Sequence, residues 1–177
     1  MLKALLGISL VPAILAGAVP RQQEATQAEQ AARLLQEDLN RKAFEGLPAL
    51  GVDVLVYPPE AQREGFPAET FKTDVQLRLR QNGLRVLEDF ELEPHSPLLK
   101  VSILLLKREG GYVYRFDIEL SERVALVRKP AGVLLATTWH DGAVGITGKD
   151  RYSAVRDGVR EYLDRFINQY LAANPKR

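Results

Sequence analysis

The sequence predicts an α+β fold: a single mostly antiparallel sheet with two helices on one face, in the order β-α-β-β-β-β-α. Three observations predict it. Over residues 112–121 an apolar side chain recurs at every second position, the period of two that a half-exposed antiparallel strand requires. Residues 152–170 carry an apolar stripe at three- and four-residue spacing, the signature of a helix with one buried side. Gly110-Gly111 and Lys129-Pro130-Ala131-Gly132 separate the strands with turn chemistry.

The opening strand is 50–57, a short apolar run rich in β-branched residues that Pro58-Pro59 ends. Gly65-Phe66-Pro67 reads as a turn, and Pro67 suits the first turn of a helix. Over 68–81, Phe71, Val75 and Leu79 recur every four residues. Asn82-Gly83 then stops the helix, because glycine accepts the left-handed conformation that closes it. Residues 84–89 read as a second strand, and with the first it can form a parallel crossover, which would be right-handed. Residues 98–107 are a third strand, with Val101, Ile103 and Leu105 on one face and Ser102, Leu104 and Leu106 on the other.

Beyond the glycine pair, Tyr112, Tyr114, Phe116, Ile118 and Leu120 point one way. Arg115, Asp117, Glu119, Ser121 and Arg123 point the other way, so the first three of these should line an open sheet face. Residues 124–127 extend this strand across a bulge. Residues 133–139 are another strand, and 142–148 are a glycine-rich continuation or loop. In the last helix Tyr152, Val155, Val159, Tyr162, Leu163, Phe166, Ile167 and Tyr170 form the apolar stripe. Asp150 or Ser153 is placed to cap it, and Asn174-Pro175 ends it.

The N-terminus has a different composition. Lys3 precedes an apolar run over 4–15, and Ala16-Gly17-Ala18 puts small residues at Ala16 and Ala18. That order of charge, apolar core and small-x-small site is a secretory signal peptide over 1–18, cleaved after Ala18. The alternative is a retained anchor, but the apolar run falls short of the roughly 20 residues a spanning helix needs. A periplasmic or secreted protein without a stable membrane span is therefore expected. The chain contains no cysteine, which removes disulfides and a lipid-bearing N-terminal cysteine. Residues 19–46, rich in Gln, Glu and Ala, read as a polar spacer, partly helical or disordered, ahead of a domain over 47–174. A net charge of +1 predicts no strong pull toward nucleic acid or an anionic membrane.

No residue set meets the requirements of a catalytic centre. His95 and His140 are the two histidines, whereas a zinc site wants three or four closely spaced ligands. No metal or cofactor is expected. Ser96, Ser102, Ser121 and Ser153 lack a nucleophile-elbow context, and carboxylates such as Glu91 and Glu93 read as solvated surface. Gly142, Gly145 and Gly148 suggest a phosphate loop, but the segment lacks the Gly-Lys-Ser/Thr ending. Backbone amides ahead of a helix can still hold an anion, and a bulged strand is the alternative. Tyr112 and Tyr114 continue the core face by parity, while the face of Trp139 is open. The candidate partner- or ligand-contacting residues are Trp139, His140, Gly142, Gly145 and Gly148.

The element order over 47–174 resembles the N-terminal domain of the TolB translocation protein and related bacterial envelope proteins. Thr137-Thr138-Trp139, Gly142-Ala143-Val144-Gly145, Val155-Arg156-Asp157 and the stretch from Phe166 to Leu171 with Asn174-Pro175 are similar to a group of uncharacterised exported bacterial proteins. These resemblances bring no catalytic residue. They imply a non-enzymatic binding or assembly accessory protein of the envelope, with an envelope protein as partner. A periplasmic small-molecule or anion binder using 142–148 is the alternative, and an envelope hydrolase a third reading.

Overall fold

The computed structural model describes residues 19–88, 93, 96–148 and 152–175. The signal peptide with Ala16 and Ala18, Glu91, His95 and the Asp150 cap lie outside the described residues. The chain divides between Asp38 and Leu39 into two units. Helix α1 is Val19–Phe44, as the helix-favouring Ala, Gln, Glu, Leu and Arg content allows. In the first unit Arg33 pairs with Glu29 one turn back at 2.8 Å, and Leu34 and Leu35 stay exposed. Among the described residues no helix is long and apolar enough to cross a membrane.

The second unit is built on a mixed four-stranded sheet, β1 Gly51–Tyr57, β2 Leu98–Arg108, β3 Gly111–Leu126 and β4 Lys129–Gly148, in spatial order β1-β2-β3-β4. β1 runs parallel to β2, and the other two pairs are antiparallel. Helix α2, Ala68–Gln81, connects β1 to β2, and α3, Tyr152–Ala173, follows β4. The α+β class and the single sheet are as the sequence predicts, with differences in detail.

The expected strand at 84–89 shrinks to one parallel bridge, Leu50 with Val86. Leu50 N donates to Arg85 O at 3.1 Å and Leu87 N to Leu50 O at 2.9 Å. Among the described residues 84–88 only Leu84 and Val86 are buried, with Arg85 and Glu88 exposed, too little apolar surface to hold a longer ladder, and Asp89 lies outside the described residues. Residues 142–148 take the strand alternative and complete β4.

Both helices bury their stripes against one face of the sheet. That face presents Val52, Val54 and Val56, then Leu99, Val101, Ile103 and Leu105, then Phe116, Ile118 and Leu120, all buried. Gly158 in α3 lets the helix approach closely, since a Cβ there would stand 3.0 Å from the Phe116 ring. Two fork-like ion pairs, Arg78 with Asp164 and Arg156 with Asp74, join α2 to α3. Glu64 ties the loop before α2 to the sheet end, accepting from Lys107 Nζ and the Tyr112 hydroxyl, each at 2.6 Å.

The packing reaches further back than the expected start at 47. Phe44 is wholly buried and meets Trp139 and Phe166 edge to face, with ring centroids 5.8 and 5.1 Å away. Asn174 fixes this corner: its Nδ2 donates to Phe44 O at 2.8 Å and its Oδ1 accepts from Gly46 N at 3.0 Å. The last turn of α1 therefore belongs to the core, although its composition is that of a spacer.

Candidate functional site

The sheet has a second face that none of the described residues of α2 or α3 covers. Parity places Asp53, Leu55 and Tyr57 of β1 there, with Lys100, Ser102, Leu104 and Leu106 of β2. β3 adds Val113, Arg115, Asp117 and Glu119, and β4 adds His140, Val144 and Ile146. The ladder register sorts them by kind. One row across the sheet is Asp53, Lys100, Glu119 and His140. Two rows further along, Tyr57, Leu104, Arg115 and Val144 lie side by side, and beyond them Leu106, Val113 and Ile146. The face is thus charged at one end and apolar at the other. Val144 is 71% exposed and Ile146 67%. Neighbouring residues on one sheet face are close enough to form a continuous surface.

Between the two ends sits a polar cluster. Asp117 accepts from Arg115 at 2.8 Å, and His140 Nε2 lies 3.0 Å from Asp117 Oδ1. Partial burial pushes the Asp117 carboxyl up, but the hydrogen bonds and charges of Arg115 and His140 outweigh it and hold the carboxyl below its ordinary range. Such a cluster can present a fixed pattern of donors to a partner. Among the described residues no group of three His, Cys, Asp or Glu side chains could hold a metal ion.

The sequence-predicted site residues scatter. His140 is exposed on the open face, in the cluster just described. Trp139 points the opposite way: it is 4% exposed, its indole N–H donates to Gln169 Oε1 at 2.9 Å, and its ring packs on Phe44 and Phe166. It is a core residue and offers no docking surface.

Gly142, Gly145 and Gly148 lie in β4 opposite Asp117, Tyr114 and Gly111, so the segment is a paired strand and not a phosphate-cradling loop. Steric crowding explains two of them. A Cβ at Gly142 would meet Phe116 O at 2.5 Å, and one at Gly145 would meet the Tyr114 ring at 2.4 Å.

The sequence reasoning missed the apolar end of the open face. Leu104 and Leu106 have the parity of the polar face in their own strand, which was the available signal. Val144 and Ile146 were hidden inside a segment read for its glycines.

No protein-family profile and no curated protein sequence matches the chain. Among solved structures, the chain is similar to a minor lipoprotein from Acinetobacter baumannii, with 10% identity, 72% of this chain and 93% of that one covered, and a TM-score of 0.31. It is also similar to a PelC dodecamer from Paraburkholderia phytofirmans, with 12% identity, 72% and 86% covered, and a TM-score of 0.32. Likeness at this level carries no argument about function.

Proposed function

We propose that the chain is an exported, non-enzymatic binding or assembly accessory protein of the bacterial envelope, and that its uncovered sheet face seats a protein partner. The observation that carries the reading is the apolar end of that face, where Tyr57, Leu104, Leu106, Val144 and Ile146 all stand exposed in adjoining rows. Contiguous apolar surface bordered by polar groups is what a protein interface offers. Arg115, Asp117 and His140 supply the polar border, and the partner should carry an apolar strip next to a complementary charge. Export rests on the composition of residues 1–18. The resemblance in element order to the TolB N-terminal module belongs to the same proposal.

Photocrosslinking in cells tests it. A crosslinking amino acid at position 146 should capture one dominant envelope protein. The same group at Lys72, on the helical side, should not. Val144→Glu should reduce the captured yield at least tenfold while the thermal midpoint stays within about 2 °C, since exposed substitutions usually change stability by no more than about 0.5 kcal/mol. Equal capture from positions 146 and 72, or none from either, would remove the basis for the reading.

A further inference from the structure

β3 and β4 outrun the rest of the sheet. β2 pairs with β3 only as far as Leu98 with Ser121, yet β3 continues to Leu126 and β4 starts at Lys129. Residues 122–126 and their partners form a two-stranded arm about 17 Å long, at roughly 3.4 Å per residue. Its composition is unusual for a free ribbon. Val127 at the turn is 98% exposed, and Val133, Leu134 and Leu135 are exposed along β4. The register puts Leu134 opposite Val124, and Leu135 opposite Arg123, so apolar side chains emerge from both faces of the arm.

The charge is just as one-sided. Over 121–137 the charged residues are Glu122, Arg123, Arg128 and Lys129, a net charge of +2. Glu122 accepts from the Thr138 hydroxyl at 2.6 Å. All three cations are exposed, two of them beside Val127 at the tip. The near-zero charge of the whole chain conceals this local concentration.

We infer that this arm is a membrane-surface finger, whose tip enters the headgroup layer of an anionic bilayer. Apolar groups on both faces suit a medium that surrounds the arm, whereas a flat protein surface would cover only one. Arg123, Arg128 and Lys129 complement anionic headgroups, each cation near such a surface favouring partition about fivefold. Their long stems let the charge stay at headgroup level while neighbouring Val127 and Leu135 sink. Both outer edges of the arm lack a strand partner among the described residues, and unpaired backbone is not tolerated in the hydrocarbon core. Insertion is therefore shallow and reversible. It leaves the open face of the sheet free for the partner proposed above.

The chain has no cysteine, so Val127→Cys in the full chain gives one labelling site for an environment-sensitive fluorophore. With vesicles of phosphatidylethanolamine and phosphatidylglycerol, the label at 127 should brighten and shift to the blue. The same label at Ile146→Cys should change little. Neutralising Arg123, Arg128 and Lys129 together to Gln should weaken the response at 127 about a hundredfold in vesicle concentration, and raised salt should weaken the parent likewise. Any vesicle binding by the N-terminal apolar run is common to both proteins and leaves this difference unaffected.

No response at 127, an equal response with phosphatidylcholine vesicles, or an unchanged response in the neutralised variant would overturn the proposal. So would a blue shift at 127 that grows with protein concentration and without vesicles, because a second copy would then be the occupant. A lost crosslink at 146 with an intact response at 127 would refute the partner reading alone.

Discussion

Replacing Phe44 by alanine tests whether the end of α1 is part of the folded domain or an extension of the spacer. The ring is wholly buried and touches two other aromatic side chains edge to face. Removing a buried phenylalanine costs about 3–5 kcal/mol through lost transfer energy and the cavity left behind. The lower part of that range, about 3–4 kcal/mol, fits a residue at a helix end, where the chain can partly collapse into the space. For a unit spanning residues 39–177 this corresponds to a fall in thermal midpoint of about 10–15 °C. It also removes a large share of the roughly 5–15 kcal/mol that holds a domain folded. Trp139, the single tryptophan, packs against the same ring, so its fluorescence during urea unfolding reads the event directly. Leu35→Ala, at an exposed position of the same helix, is the control and should cost under about 0.5 kcal/mol. If Phe44→Ala cost less than about 1 kcal/mol, the domain would start after it, as the composition alone suggests.

Gly142→Ala should destabilise by about 1–3 kcal/mol, because its Cβ would collide with the Phe116 carbonyl, whereas Gly148→Ala should be near neutral with its nearest neighbour 4.0 Å away; equal effects in urea titrations would contradict a steric role. Tyr152→Phe should leave stability unchanged or raise it by about 1 kcal/mol by calorimetry, since the buried hydroxyl finds no partner among the described residues. The Asp117 carboxyl is held below its ordinary range, so its contribution, about 0.5–1 kcal/mol, should be fully present above about pH 4 and lost as pH falls through its lower folded-state value. Wild type and Asp117→Asn should then differ in urea midpoint at pH 7 and converge near pH 2, and a gap that widened in acid would reverse the assigned sign.

Much of the fold was legible in side-chain period. The alternation through Tyr112, Tyr114, Phe116, Ile118 and Leu120 assigned the core face of β3, and the 3.6-residue stripe assigned α3, because burial on one side imposes those periods directly. The failures lie where burial was decided by something distant. Residues 84–89 have a strand-like composition, but among the described residues there only Leu84 and Val86 find core beneath them. Phe44 closes a helix whose leucines Leu34, Leu35 and Leu39 are exposed, and nothing local shows that Trp139 and Phe166 wait for it.

The candidate site was less legible for a physical reason. A reading by residue type looks for unusual chemistry, and it stopped at Trp139, His140 and the glycines of β4. Trp139 proved to be core, and Gly142 and Gly145 relieve crowding beneath their neighbours on β3. The surface that distinguishes the molecule is made of ordinary residues in the wrong place: leucines and valines with the parity of solvent. Leu104 and Leu106 become informative only when β3 and β4 are laid beside them, since Arg115 separates Leu104 from Val144 in one row while Val113 joins Leu106 to Ile146 in the next. The patch is therefore a property of the strand register. A one-residue slip of β4 would exchange its open and core faces, and the two register shifts between β3 and β4 lie at the arm, between Leu120 and Ser121 and between Ala125 and Leu126. From Gly111 with Gly148 to Leu120 with Trp139 the pairing runs without a shift, and that unbroken stretch aligns Val144 and Ile146 with the rest of the open face.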